Sequence, residues 1–137
     1  MFTITDKKFI YITRGDVASL DVTIYQEDGS YYVFQKGDEV RLTVVEKNNY
    51  DNVLIQKTAK AIDGDQYVTI TLEKEDTRFS PIISKPVDYW YEIELNPEDD
   101  PQTIIGHDED GPKIFRIYPE GGIIKWFLVK LLNQKIL

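Results

Sequence analysis

The chain contains no cysteine and only one histidine, His107, among its 137 residues. The lack of cysteine excludes disulfide bridges and thiolate metal ligands, and with them the small secreted scaffolds that depend on disulfides. One histidine cannot form the paired-histidine spacing of a zinc site, and no Gly-x-Ser-x-Gly motif accompanies it for a Ser-His-Asp triad. We therefore expect a non-enzymatic protein with no cofactor and no bound metal ion.

Long apolar runs are also missing. The most apolar stretch, residues 123–132, is interrupted by Lys125 and Lys130 and is too short to span a bilayer. The first eight residues read Met-Phe-Thr-Ile-Thr-Asp-Lys-Lys, which lacks the apolar segment of a secretory signal. We expect a protein made in the cytoplasm, with no signal peptide and no membrane span.

Acidic residues are absent from the end of the chain. All 24 of them lie in residues 1–120 together with 13 of the 16 Lys and Arg residues, which gives this part a formal charge of −11. Residues 121–137 carry Lys125, Lys130 and Lys135, so their formal charge is +3. An acidic body repels phosphate, and we expect no binding of nucleic acid. The basic, apolar end is suited to an acidic surface on a neighbouring copy or on another protein.

Four segments alternate apolar and polar residues with a period of two, which is typical of β-strands with one buried face. These segments are residues 20–24, 40–44, 68–72 and 89–95. The alternation predicts that Val22, Leu42, Ile70 and Ile93 are core residues. Strong turn signals such as Asp28-Gly29 separate the segments. The pattern predicts an all-β fold, an antiparallel immunoglobulin-like β-sandwich of about eight to ten short strands.

Three connecting segments have individual predictions. Residues 31–34 are predicted as a further strand, and residues 48–52 as a polar loop. Residues 73–79 are predicted as a short connection with about one helical turn. The turn Arg14-Gly15-Asp16 is interpreted as a structural turn, because Gly15 tolerates unusual backbone angles and Asp16 can bond its own backbone.

Acidic loops at residues 99–100 and 108–110 lack the ligand spacing of a calcium loop, and we interpret them as solvated turns.

Two parts are predicted for the chain: a β-sandwich domain over residues 1–120 and an apolar, basic tail over residues 121–137. Gly121-Gly122 is a suitable joint, and residues 123–137 contain neither Pro nor Gly, which favours a C-terminal helix of about four turns. Such a helix is apolar on nearly every side and needs burial on more than one face. We therefore predict a homo-oligomer assembled through residues 123–137, or docking of the tail on another protein. The alternatives are a tail folded back over its own sandwich and a strand exchanged with a neighbour.

Trp90 falls on the opposite face of its strand from Tyr89, Tyr91 and Ile93. An outward-facing tryptophan can stack on a sugar ring, anchor a protein contact, or be covered by a nearby loop or the tail. We count it among the predicted interface residues, which are Trp90, Ile124, Trp126, Phe127, Leu128, Leu131 and Leu132.

Six phrases taken in chain order resemble a known family. They are ITRGDVASLDVTIYQEDG, KGDEVRLTVVEK, LIQKTAK, VTITLEKEDT, VDYWYEIEL and KIFRIYPEG, and they cover about residues 9–121. Together they resemble the small β-sandwich domain of tail and baseplate proteins of phages that infect Gram-positive bacteria. The named group with the greatest similarity is the amino-terminal domain of phage baseplate upper proteins. The motifs are the Arg14-Gly15-Asp16 turn, the turn at residues 74–77 and the strand at residues 89–93.

The resemblance implies a docking module that contacts other phage tail or baseplate proteins. We therefore expect a non-enzymatic structural subunit of the virion, made in the cytoplasm of the bacterial host. The alternative is a stand-alone β-sandwich that binds a cell-surface glycan or protein.

Overall fold

The computed structural model describes residues 1–120, which form nine β-strands and no helix. The strands are β1 (Phe2–Ile4), β2 (Ile10–Thr13), β3 (Ala18–Val22), β4 (Glu39–Glu46), β5 (Asn49–Lys60), β6 (Val68–Leu72), β7 (Val87–Leu95), β8 (Gln102–Ile105) and β9 (Lys113–Tyr118). The expected all-β character is confirmed. The predicted C-terminal helix lies outside the described residues, as do the interface residues Ile124, Trp126, Phe127, Leu128, Leu131 and Leu132.

The strands form two sheets of very different size. The large sheet has seven strands in the order β1-β2-β9-β7-β4-β5, with β8 also paired to β7, and the small sheet consists of β3 and β6. The prediction of a purely antiparallel structure is wrong, because β2 and β9 pair in parallel, with Ile10 opposite Phe115 and Thr13 opposite Tyr118. A parallel pair needs a long crossover, and here almost the whole domain lies between these two strands.

One core joins the two sheets. Side chains of β3 and β6 pack against those of β2, β4, β7 and β9 in a single cluster of buried residues. Val22, Leu42, Ile70 and Ile93 all belong to this cluster, which confirms the predicted core positions. The alternating burial along β3 and β6 follows directly from the alternating sequence.

The connecting segments differ from their predictions in three places. Residues 31–34 form no strand; only Tyr31 makes an isolated bridge, to Tyr25. Strand β5 begins at Asn49 rather than after a polar loop, because Asn48 adopts a positive φ of 66° and permits a tight hairpin. The connection at residues 73–79 contains turns and no helix.

Candidate interaction surfaces

Trp90 lies on the outward face of the large sheet. Its neighbours across the sheet are Val45 of β4 and Ile114 of β9. The ring of Tyr50, at the start of β5, lies against the indole with 5.5 Å between ring centroids and an angle of 47° between planes. Trp90 is therefore half-buried, and its indole Nε1 is enclosed without a hydrogen-bond partner among residues 1–120.

Tyr50 is the more accessible member of this aromatic pair. Its exposed fraction is 52%, and Val53 of the same strand is also exposed at its side. Sequence reasoning missed Tyr50 because residues 48–52 were predicted as a loop. Residues 50–53, Tyr-Asp-Asn-Val, have no period-two alternation, so the sequence holds no clear signal for this part of β5. The surface offered to a partner is thus centred on Tyr50, with Trp90 behind it.

A polar row borders the aromatic pair on the same face. The guanidinium of Arg116 donates two hydrogen bonds to Asp88, at 2.6 and 3.2 Å, and lies 4.9 Å from the ring centre of Tyr11. The hydrogen bonds that Arg116 donates to Asp88 and Tyr118 raise its pKa above the usual value. These contacts connect β2, β9 and β7. Because Asp88 balances the positive charge of Arg116, the polar row attracts a charged partner only weakly.

The Arg14-Gly15-Asp16 turn is used inside the molecule. The backbone N–H of Gly15 donates to the Thr77 hydroxyl at 2.7 Å, and Thr77 is fully buried. The carboxylate of Asp16 pairs with the amino group of Met1 rather than with its own backbone. The two turn motifs of the sequence, residues 14–16 and residues 74–77, are therefore in direct contact.

Glu120 is held at the end of β9 by two arginines. Arg14 donates one hydrogen bond to the Glu120 carboxylate and another to the carbonyl oxygen of Ser80 at 2.7 Å. The Nε of Arg78 donates to the same carboxylate at 3.1 Å. Arg14 is buried, so Glu120 supplies the counter-charge that its guanidinium needs. We call Arg14, Arg78 and Glu120 the exit clamp, because it fixes the place where residues 121–137 begin.

The position of Gly15 beside Arg78 leads to a prediction about the stability of an alanine variant. Gly15 and Gly29 both have a φ of +84°, but a Cβ on Gly15 would meet the Arg78 guanidinium at 2.6 Å, whereas a Cβ on Gly29 would meet nothing within 4 Å. Both alanine variants should lose about 1–2 kcal/mol of unfolding free energy from left-handed strain. We expect Gly15→Ala to lose at most about 0.5 kcal/mol more, because the atoms in the way are the end of the partly exposed Arg78 side chain, which can move aside. Urea unfolding of the two variants measures the difference, and an extra loss above about 1 kcal/mol at Gly15 would show that Arg78 cannot move aside.

The acidic loop at residues 108–110 makes internal contacts. Asp108 accepts a hydrogen bond from Lys113 at 2.8 Å and one from the backbone N–H of Asp110 at 2.9 Å, and these bonds hold the pKa of Asp108 below its usual range. Within residues 1–120, no three acidic or histidine side chains converge on a space suited to a metal ion. The loop is therefore a turn closed by its own lysine.

The chain matches no protein-family model and no curated protein sequence. Residues 1–120 contain no helix of the length and apolar character needed to cross a membrane.

Proposed function

We propose that this chain is a non-enzymatic structural subunit of a bacteriophage tail or baseplate. In this proposal the β-sandwich docks within the tail, and residues 121–137 join the subunit to its neighbours. The observation that carries the proposal is the exit clamp. Arg14 and Arg78 hold Glu120 against the body, so the apolar, basic segment that follows starts from a fixed point on each copy. In an assembly of identical subunits, each connector then begins at the same place on its body.

Two of the motifs that carry the resemblance to phage baseplate proteins are in contact in the folded body. The backbone N–H of Gly15 in one turn donates to the Thr77 hydroxyl of the other turn, so the two motifs stabilise the same part of the fold. We also propose that the two sheets form an immunoglobulin-like sandwich. The shared core of the large and small sheets supports this assignment, since face-to-face packing of two sheets defines that architecture.

Charge separation also favours assembly over binding to nucleic acid. The body carries a formal charge of −11 and residues 121–137 carry +3. Copies of the body repel one another, whereas the end segment of one copy is attracted to the body of another. A subunit of this kind is expected in the virion, after synthesis in the host.

We expect the full chain to form an oligomer at micromolar concentration, and Phe127→Glu or Leu131→Glu to make it monomeric. Each variant places a charge in the apolar segment, where burial of an unpaired carboxylate is strongly unfavourable. Gln134→Glu is the matched control, because it adds the same charge at a polar position of the same segment. Analytical ultracentrifugation of the four chains measures assembly, and thermal melts should show nearly unchanged body stability.

Two results would contradict this function. A full chain that is monomeric from micromolar to near-millimolar concentration excludes self-assembly. A chain ending at residue 121 that loses its cooperative melt shows that the body does not fold without the segment, so the domain boundary is wrong.

The aromatic pair favours a second candidate function. Exposed Tyr50 beside Trp90 is suited to stacking on a sugar ring or to anchoring another protein. A stand-alone module that binds a cell-surface glycan or protein is therefore the alternative. It predicts a monomer that binds bacterial cell-wall glycan and loses this binding on Tyr50→Ala.

A further inference from the structure

An apolar groove of about 560 Å³ opens between the two sheets. Leu20, Val22 and Ile24 line its side toward the small sheet, whereas Ile104 and Ile105 of β8 line its side toward the large sheet. Among the strands of residues 1–120, β3 pairs only with β6, so its other edge is unpaired. An unpaired strand edge with apolar walls offers an extra polypeptide segment both backbone hydrogen bonds and apolar burial.

The surroundings of the groove are acidic on one side. Asp21 lines the groove itself. A hollow that shares Ile24 and Tyr25 with the groove is lined by Glu27, Asp28 and Asp100, and no Lys or Arg of residues 1–120 lines it. Lys8 is the one basic residue among the described residues that line the groove. The groove is therefore suited to an occupant that is mainly apolar and carries positive charge.

Residues 123–137 have this composition. Ten of the fifteen residues, IIKWFLVKLLNQKIL, are Ile, Leu, Val, Phe or Trp, and the charged residues are Lys125, Lys130 and Lys135 without an acid. We infer that the groove binds residues 123–137 of a second copy of this chain. This inference rests on the proposed function, because it names the surface that receives the assembling segment.

The direction of β9 favours a second copy over the same copy. Because β9 runs parallel to β2, it passes from the Ile10 end toward the Thr13 end of that strand. Ile10 lines the groove, whereas the chain leaves the body at Glu120, beside Arg14. The chain thus leaves the body beyond the Thr13 end of β2, away from Ile10, so residues 121–137 would have to turn back to reach their own groove. Insertion into a neighbour is a head-to-tail contact, which produces a closed ring or a filament.

Disulfide trapping tests the inference in the full chain, which has no cysteine of its own. Thr23 directly follows β3 and lines the groove, and Ser19 is an exposed residue of β3 that does not. We expect a chain with Thr23→Cys and Leu128→Cys to form dimers and longer linked species on mild oxidation. The control chain with Ser19→Cys and Leu128→Cys should show only the background of a chain that carries Leu128→Cys alone. Non-reducing electrophoresis and intact mass measure the linkage.

Each other outcome overturns the inference in a recognisable way. A Thr23–Leu128 disulfide within one molecule shows that the segment occupies its own groove. Equal linkage of the Thr23 and Ser19 chains shows that the segment binds elsewhere. If Phe127→Glu still abolishes assembly in that case, the proposed self-assembly stands without the groove. If the full chain is a monomer in every experiment, the inference and the proposed function fail together.

Discussion

Replacing Ile70 with alanine is expected to lower the unfolding free energy by about 2–5 kcal/mol. Ile70 is only 1% exposed and lies in β6 opposite Leu20 of β3, at the middle of the small sheet. The small sheet has two strands, and a two-stranded sheet is marginal unless its apolar face packs on another element. Ile70 belongs to the cluster that joins the small sheet to the large one, so its truncation weakens that packing directly.

Ile82→Ala is the matched control for Ile70→Ala. It removes the same atoms from a side chain that is 81% exposed, and we expect a change of at most about 0.5 kcal/mol. Chemical denaturation followed by far-ultraviolet circular dichroism measures both variants. Similar small losses at Ile70 and Ile82 would mean that β6 is shifted by one residue, since such a shift moves every inward side chain to the other face.

The strands with clear alternation could be predicted closely from the sequence. The alternating segments 40–44, 68–72 and 89–95 all lie within strands, in β4, β6 and β7 respectively. Period-two alternation depends on local geometry alone, because neighbouring side chains of a strand point to opposite faces. The same local rule identified Val22, Leu42 and Ile93 as core residues. Core positions can therefore be predicted from the sequence wherever burial of one strand face produces the alternation.

Pairing between distant strands could not be predicted in this way. The parallel pairing of β2 with β9 joins residues that are more than 100 positions apart, and nothing in either strand's own sequence encodes direction. The tight turn between β4 and β5 was missed for a different reason. It depends on the left-handed conformation of Asn48, and the polar residues after Asn48 resemble a loop.

Contacts of the candidate site depend on the same long-range arrangement. The sequence gives good reason to interpret Arg14-Gly15-Asp16 as a turn, but not to place Thr77 and Glu120 beside it. The position of Trp90 on the outward face could be predicted from the alternation of β7. Its cover by Tyr50 could not, because that contact depends on how far β5 extends.

The second large effect is expected at Asp38, which precedes β4. Its carboxylate is buried and accepts hydrogen bonds from the Tyr32 hydroxyl at 2.6 Å, the Gln35 backbone N–H at 2.8 Å and the Asn96 side-chain amide at 2.9 Å. Asn96 follows β7 and in turn accepts the backbone N–H of Glu39 at 2.9 Å. Asp38 therefore connects the segment before β4 to the end of β7.

We expect Asp38→Ala to lower the unfolding free energy by about 2–4 kcal/mol, because three donors lose a charged acceptor in a buried place. Asp99→Ala is the control: this exposed carboxylate makes no side-chain hydrogen bond within residues 1–120, and about 0.5 kcal/mol or less is expected. Urea unfolding at neutral pH compares the two variants. Equal losses of unfolding free energy in the two variants would show that the hydrogen bonds of Asp38 do not stabilise the fold.

The pH dependence of stability gives a sharper test of Asp38. Burial raises the pKa of this carboxyl, but the hydrogen bonds from Tyr32, Asn96 and the Gln35 N–H outweigh it, so the pKa lies below its usual value. A group with a lowered folded-state pKa stabilises the protein above its unfolded pKa of about 3.9, and this contribution is lost as the pH falls through the folded-state pKa. The stability gap between the natural chain and Asp38→Asn should therefore be full at pH 6 and shrink below about pH 4.

Tyr32 supplies the alkaline counterpart of this test. The hydrogen bond to Asp38 raises the pKa of Tyr32 to about 12. A raised folded-state pKa contributes stability that is complete below the unfolded value of about 10 and is lost as the pH rises through the folded-state value. Between these two pH values the natural chain should lose its advantage over Tyr32→Phe, which has no proton to release. A gap between the two chains that stays constant from pH 9 to pH 12 would contradict the Tyr32–Asp38 hydrogen bond, because that bond is the largest cause of the raised pKa of Tyr32, ahead of burial and the negative charge of Asp38.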